Sequence, residues 1–247
     1  MTDHKTKVAL VTGGARRIGA EICRCLHAEG YRVAVHYRAS SAEAASLVTG
    51  LNDLRKDSAQ QFGLDLNDTP RLSGLIEDCI VRFGRLDVLV NNASTFYATP
   101  LKEVGEAEWS DLLGVNLKAP LFLSKAAADP LTASGGCIVN IADIHAERPM
   151  EGHAVYSTAK AGLVMLTRAL AVELGPGVRV NAVAPGAILW PEKETDRASQ
   201  EKIIARTALN RIGTPRDIAG AVLYLARDAL YTTGTILAVD GGRSLHY

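Results

Sequence analysis

Residues 8–19 read Val8-Ala9-Leu10-Val11-Thr12-Gly13-Gly14-Ala15-Arg16-Arg17-Ile18-Gly19. A four-residue apolar run of this kind is the signature of a strand buried on both faces. A glycine turn follows, and residues 18–30 then carry apolar side chains at helical spacing. Strand, glycine turn and helix in that order aim backbone N–H groups and a helix N-terminus at an anion such as a pyrophosphate. Gly13 permits the tight turn, and Gly19 lets the helix pack close to it.

Outward from this start the same alternation continues. Strands are expected at 31–37, 59–65, 86–91, 137–142, 178–184 and 236–239, with helical segments between them. Ser40 with Glu43 three residues on reads as a capping box. Thr69-Pro70 starts a helix with Pro at its first position, and Thr214-Pro215-Arg216-Asp217 caps another. The pattern predicts an α/β fold: a Rossmann-like, doubly wound parallel sheet of about seven strands with helices on both faces. The 247 residues suit one domain, 1–247, with no linker, repeat or low-complexity tract. Only residues 188–212 escape the alternation; they are polar, charged and weakly helical. A long excursion beyond a strand's carboxyl end is where a substrate lid is expected, with residues 207–213 as its far hinge.

Composition narrows the function. Twenty-seven basic residues balance twenty-seven acidic ones, which argues against a nucleic-acid or anionic-membrane footprint. No apolar run approaches the about 18 residues of a membrane span. Residues 1–7 are polar with no apolar segment behind them, so a secretory signal is not expected and the chain reads as cytoplasmic. Cys23, Cys25, Cys79 and Cys137 form no Cys-x-x-Cys and read as reduced structural thiols; no His cluster has metal spacing.

Tyr156 and Lys160 stand one helical turn apart, so hydroxyl and ammonium point the same way. A nearby cation favours phenolate, which suits a Tyr that gives and takes a proton near neutral pH. At the other end, an NAD-type strand two would end in Asp or Glu to hold the ribose 2′-hydroxyl. Here it ends His36-Tyr37-Arg38-Ala39-Ser40, with no acid and with groups suited to a 2′-phosphate, so NADPH is the expected cofactor. Arg17 stands where a middle glycine is expected, and its guanidinium can reach a phosphate bidentately. Arg16 reads as a surface charge. Asp65 suits either the adenine amino group or a turn.

With these pieces the chain resembles the short-chain dehydrogenase/reductase family over nearly its full length. The resemblance rests on the glycine turn, Asn91-Asn92-Ala93, Asn116, Tyr156/Lys160, Asn181-x-x-x-Pro185-Gly186 and Asp240-Gly241-Gly242. Within the family it is similar to the pteridine reductases, with dihydromonapterin and dihydrofolate reductases of this fold close by. Arg17, the run Ser94-Thr95-Phe96-Tyr97 after Ala93, and Asp143 in place of the usual Ser point that way together, as does His36-Tyr37-Arg38.

The resemblance implies site roles. The cofactor would lie against Gly13, Arg17, Ile18 and Gly19, the segment from His36 to Ser40, Asp65 and Leu66, Asn92 and Ala93, and Pro185-Gly186 on the nicotinamide side. Lys160 would bind the nicotinamide ribose and lower the pKa of Tyr156, and Asn116 would hold a water. A carboxylate at 143 would repel a developing oxyanion but suits a substrate with N–H donors that gains a proton on nitrogen. A C=N bond of a pterin is such an acceptor, with Asp143 and Tyr156 as a coupled acid pair. Asp143 reads otherwise as a cap after strand five. Arg17, Ser94, Phe96 and Trp190 complete the implied pterin or folate site. The implied assembly is a homotetramer, supported by a 154–174 helix that is apolar on more than one face. A dihydromonapterin reductase of bacterial pterin synthesis, a general carbonyl or 3-oxoacyl-thioester reductase and a non-catalytic NADPH sensor are the alternatives.

Overall fold

The computed structural model describes residues 6–190 and 196–245. Its strands are β1 (Val8–Val11), β2 (Arg32–Tyr37), β3 (Ala59–Gly63), β4 (Val88–Asn91), β5 (Cys137–Ile141), β6 (Arg179–Pro185) and β7 (Ile236–Val239). They pair in parallel in the order β3-β2-β1-β4-β5-β6-β7. The helices are α1 (Arg17–Ala28), α2 (Ser41–Leu54), α3 (Leu72–Phe83), α4 (Glu106–Leu113), α5 (Ala119–Ser134), α6 (Ala154–Glu173), α7 (Arg197–Ala205) and α8 (Pro215–Arg227).

Alternation along β1 explains the two layers. Ala9 and Val11 join a core with Ile22, Leu26, Leu51 and Val222, from α1, α2 and α8. Val8 and Leu10 join one with Ile76, Phe83, Leu123 and Leu170, from α3, α5 and α6. Successive strand side chains point to opposite faces, so a strand covered on both sides must be apolar throughout. Strand order reverses between β1 and β4, which opens a crevice at their carboxyl ends.

The expected elements are present, with ends moved by a residue or two. α1 stops at Ala28 because Gly30, at φ +91°, turns the chain and donates its N–H to His27 O at 3.0 Å. The Ser40 capping box does not form: Ser40 makes no side-chain cap, and Glu43 lies 3.6 Å from Arg16 instead. Thr69-Pro70 makes a 3₁₀ turn, Thr69–Arg71, ahead of α3. Thr214 and Asp217 do form a reciprocal cap on α8. No described helix is long and apolar enough to cross a membrane.

Candidate active site

The glycine turn is held from three sides. Gly13, at φ +59°, donates its N–H to His36 Nδ1 at 3.1 Å, and Gly14 N donates to His36 O at 2.8 Å. Asn92 Nδ2 donates to Thr12 O at 2.8 Å and Gly13 O at 3.1 Å. A Cβ on Gly19 would stand 2.2 Å from Gly13 O and 2.6 Å from Asn92 Nδ2, so only glycine closes this corner. Because Gly13 N–H donates, Nδ1 of His36 accepts, and the ring proton sits on Nε2, 3.0 Å from Leu64 O. Both ring nitrogens are spent on backbone. His36 therefore locks the turn while lining the cavity beside it, and its ring nitrogens are engaged by backbone and not turned to a 2′-phosphate.

Beside this turn lies a cavity of about 390 Å³. Its walls bring together Gly13, Arg17, Ile18, Gly19, Tyr37, Arg38, Ser40, Asp65, Leu66, Asn92, Ala93 and Ser94. The first N–H groups of α1 lack intrahelical partners and lie here. An exposed Arg38 and Arg17 stand at the rim. This donor set, cationic and without an acid at the end of β2, fits the adenosine and phosphates of a nicotinamide dinucleotide. Asp65 lines the cavity while its Oδ1 accepts from Asn67 N at 3.0 Å, so it also makes the turn. Asn92 lines it too, but its amide serves the glycine turn. Pro185 and Gly186 lie apart from this cavity, at the end of β6. A Cβ on Gly186 would meet Asp240 Cα at 2.8 Å, so this packing by itself requires glycine.

The residues expected to handle protons gather where β5 meets α6. Tyr156 Oη donates to Asp143 Oδ2 at 2.7 Å, and Asp143 Oδ1 accepts from His145 N at 2.9 Å. Asp143 thus caps the turn Ile144–Ala146 and binds Tyr156 with separate oxygens. Lys160 is buried and donates to Ile141 O at 2.8 Å, with Nζ 5.7 Å from the Tyr156 ring centroid. Burial lowers the ammonium to about 8, partly offset by Asp143. The expected lowering of Tyr156 is not what the structure gives. Burial most of all, and then the Asp143 charge and its hydrogen bond, raise the phenol. In this form Tyr156 is a proton donor held in its acid state.

Asn116 sits in a π-turn, Gly114–Lys118, between α4 and α5, a distortion common at functional sites. Its Nδ2 donates to Thr95 O at 2.9 Å and Leu112 O at 2.8 Å, while buried Oδ1 has no partner. An unpaired buried acceptor fits the bridging water expected of it.

Phe96 is among the expected site residues, but its partner His153 and several neighbours escaped sequence reasoning. Phe96 is half exposed, stacked on His153 with centroids at 4.9 Å and edge-on to Tyr156 at 4.8 Å. His153 has Tyr156's helical spacing and was the missed signal. Tyr97 Oη donates to Asp111 Oδ2 at 3.1 Å, and Asn67 Nδ2 to Asp111 Oδ1 at 3.0 Å. Asn91, Asn140 and Thr167 form a buried chain of hydrogen bonds, at 2.8 Å and 2.9 Å, that ties β4 and β5 to α6.

The 188–212 excursion is pinned at its base, where Gly213 N donates to Ala187 O at 2.9 Å. Within it α7 buries no residue, and Trp190 O lies 3.4 Å from Arg17 Nη2. Residues 191–195 of the expected lid lie outside the described residues. The expected hinge at 207–213 is an anchor: Thr207 is buried, and Leu209 N donates to Gly241 O at 3.0 Å.

A family model described as enoyl-(acyl carrier protein) reductase matches residues 13–244. Pteridine reductase 1 of Leishmania tarentolae is 38% identical over 285 aligned positions, covering 99% of this chain and 98% of that protein. A 3-oxoacyl-(acyl-carrier-protein) reductase of Staphylococcus aureus is 37% identical over 245 positions, covering 96% and 98%. A 3beta-hydroxysteroid dehydrogenase 1 of Eggerthella lenta is 35% identical over 254 positions, covering 99% and 96%. These likenesses run the length of a sheet whose glycine turn, nucleotide cavity and Tyr–Lys helix stand as described, and the chain belongs to the short-chain dehydrogenase/reductase family of NAD(P)H-using oxidoreductases.

Proposed function

We propose that the protein is an NADPH-dependent pteridine reductase that converts dihydropterins, and folates of the same oxidation state, to their tetrahydro forms. The observation that carries this reading is the 2.7 Å hydrogen bond from Tyr156 to Asp143. A hydroxyl at 143 would help a carbonyl become an alkoxide; a carboxylate opposes that charge. It accepts instead from the N–H groups of a pterin, and each of its oxygens keeps a second lone pair for them.

The reduced nicotinamide, when bound, supplies the hydride to a ring carbon. Tyr156 then delivers its proton to the adjacent ring nitrogen, and Asp143 holds the hydroxyl and the ring in register. Lys160 supports the site by fixing the Ile141 carbonyl two residues before Asp143. Phe96 offers an exposed aromatic face on which a flat ring can stack. Arg38, Arg17 and the absence of an acid after β2 support NADPH over NADH. Exposed Trp109, Leu121 and Met165 on α4, α5 and α6 support a homotetramer built on those helices, which sedimentation would read directly.

The test is oxidation of NADPH with dihydrobiopterin, dihydromonapterin and dihydrofolate against an acetoacetyl thioester, for wild type and Asp143→Ser. Pterin-dependent turnover that collapses in the variant is expected. Turnover of the thioester alone would replace the reading with a carbonyl reductase, and no turnover with any substrate would favour a sensor.

A further inference from the structure

The C-terminal turn presents a cation that the reading above leaves unused. Asp240 folds this turn: its Oδ1 accepts from Gly242 N at 2.9 Å and its Oδ2 from Ser244 N at 2.7 Å. Gly241 and Gly242 take φ of 63° and 79°. The end of the 188–212 excursion packs directly on them. A Cβ on Gly241 would stand 2.8 Å from Thr207 Cγ2, and one on Gly242 2.8 Å from Ala208 Cβ. Arg206 ends α7 just before this contact, and Arg243 follows just after it. Two guanidinium groups therefore flank one seam.

Neither has a side-chain hydrogen-bond or ion-pair partner among the described residues, and Nη1 of Arg243 is buried without an acceptor. An unpaired buried donor is costly, and so is the juxtaposition of two cations. Burial and then Arg206 lower the Arg243 pKa, while Asp143 and Asp240 raise it. Arg243 is thus within electrostatic reach of both the lid cation and the catalytic carboxylate. Asp240 does not satisfy Arg243 Nη1: its oxygens accept from Gly242 N and Ser244 N, and Nη1 makes no hydrogen bond to either. An anion seated in the seam would satisfy the orphan Nη1 and relieve the repulsion together. The planar guanidinium fork suits a carboxylate or a phosphate. Because Asp143 repels a bare anion at the ring site, the anion must be carried away from the ring, on a tail.

We propose that Arg243 and Arg206 form an anion subsite for the tail carboxylate of a folate-type substrate whose pterin ring lies at Asp143. The inference rests on the pterin reading and adds a specificity device to it: the seam favours substrates with an anionic tail over neutral pterins.

The experiment compares kcat/KM for dihydrofolate, whose tail carries carboxylates, with that for dihydrobiopterin, whose side chain carries none. The ratio of the two is measured for wild type, Arg243→Met and Arg206→Met. It should fall by about tenfold or more in Arg243→Met, and less in the exposed Arg206→Met. A change below about twofold in Arg243→Met overturns the proposal. Inorganic phosphate gives a second readout that needs no turnover, in thermal melts at saturating NADPH so that the cofactor's own phosphate positions are filled. Phosphate should stabilise wild type and not Arg243→Met. Loss of phosphate stabilisation with an unchanged substrate ratio would mean a site for a free anion and overturn the tail assignment. Failure of wild type to reduce either pterin, with the phosphate effect intact, would remove the pterin reading and the tail with it while leaving the cation pair as an anion site.

Discussion

Tyr156 Oη lies 2.7 Å from Asp143 Oδ2, and this contact reverses the usual electrostatics of a catalytic tyrosine. Burial first, and then the neighbouring carboxylate, hold the proton on the phenol. The two side chains should behave as one unit. Tyr156→Phe is expected to lower kcat by about a hundredfold or more, the range of general acid catalysis. Asp143→Asn should lower it too, and the double variant should be no worse than the worse single one. Fully additive losses in steady-state kinetics would show that the pair does not act together.

Lys160 supplies a pH signature with opposite signs for stability and activity. Its ammonium titrates at about 8 in the folded chain, against an ordinary value of 10.5, because it is buried. Between those values the unfolded chain binds more protons, so stability should rise with pH, by at most about 3 kcal/mol. The gain is complete above the unfolded value and lost as pH falls through 8. Over the same alkaline range kcat/KM should fall as the cation disappears. Urea midpoints from pH 8 to 10 for wild type and Lys160→Met check this; equal slopes in the two proteins would contradict the assignment.

His36 makes the matching acid-side prediction. Burial lowers its imidazole from 6.5 to about 4, and the Leu64 carbonyl and Asp65 oppose that only in part. Stability linked to neutral His36 is present above pH 6.5 and lost as pH falls toward 4, by at most about 3 kcal/mol. Protonation puts a second N–H on Nδ1, opposite the Gly13 donor, so NADPH affinity should weaken over the same window. His27 is also lowered by burial, and then by Arg55, so it too contributes on the acid side. The informative quantity is therefore the difference between wild type and His36→Asn in denaturant midpoint against pH, which should narrow below pH 5. A constant difference from pH 7 to 4 would assign the acid loss elsewhere.

The pattern in these predictions follows what a sequence can carry. Strand alternation, the glycine turn and the one-turn spacing of Tyr156 and Lys160 are local, and backbone geometry enforces them. So is the Thr214–Asp217 cap. The Ser40–Glu43 cap had the same local signature and failed because Arg16, 27 residues upstream in sequence, draws Glu43 away. What stayed hidden is set by tertiary contact. His36 meets Gly13 across 23 residues, and Asn140 meets Thr167 across 27. Phe96 meets His153 only because the loop after β4 pairs with the residues before α6, Thr99 N donating to Gly152 O at 2.6 Å. In each case the residue type admits several roles, and the partner decides which one it has.

Asp111 is such a partner, and it connects the two ends of the site. Tyr97, next to Phe96, and Asn67, just beyond the cavity-lining Asp65 and Leu66, each donate to one of its oxygens. Gly114 closes the same corner, since a Cβ there would stand 2.1 Å from Asn67 Oδ1. Tyr97→Phe removes one hydrogen bond to a charged acceptor, worth about 1.5–3 kcal/mol, and frees the loop that carries Phe96. If Phe96 is the stacking face for substrate, KM for a pterin should rise several-fold while kcat changes little, since the Tyr156–Asp143 pair is untouched. NADPH affinity should hold in Tyr97→Phe but weaken in Asn67→Ala, since Asn67 closes the turn that carries the cavity-lining Asp65 and Leu66. Fluorescence titration of NADPH beside steady-state kinetics separates these effects. A Tyr97→Phe enzyme that loses kcat and keeps KM would place Tyr97 in the chemistry instead of in the positioning of Phe96.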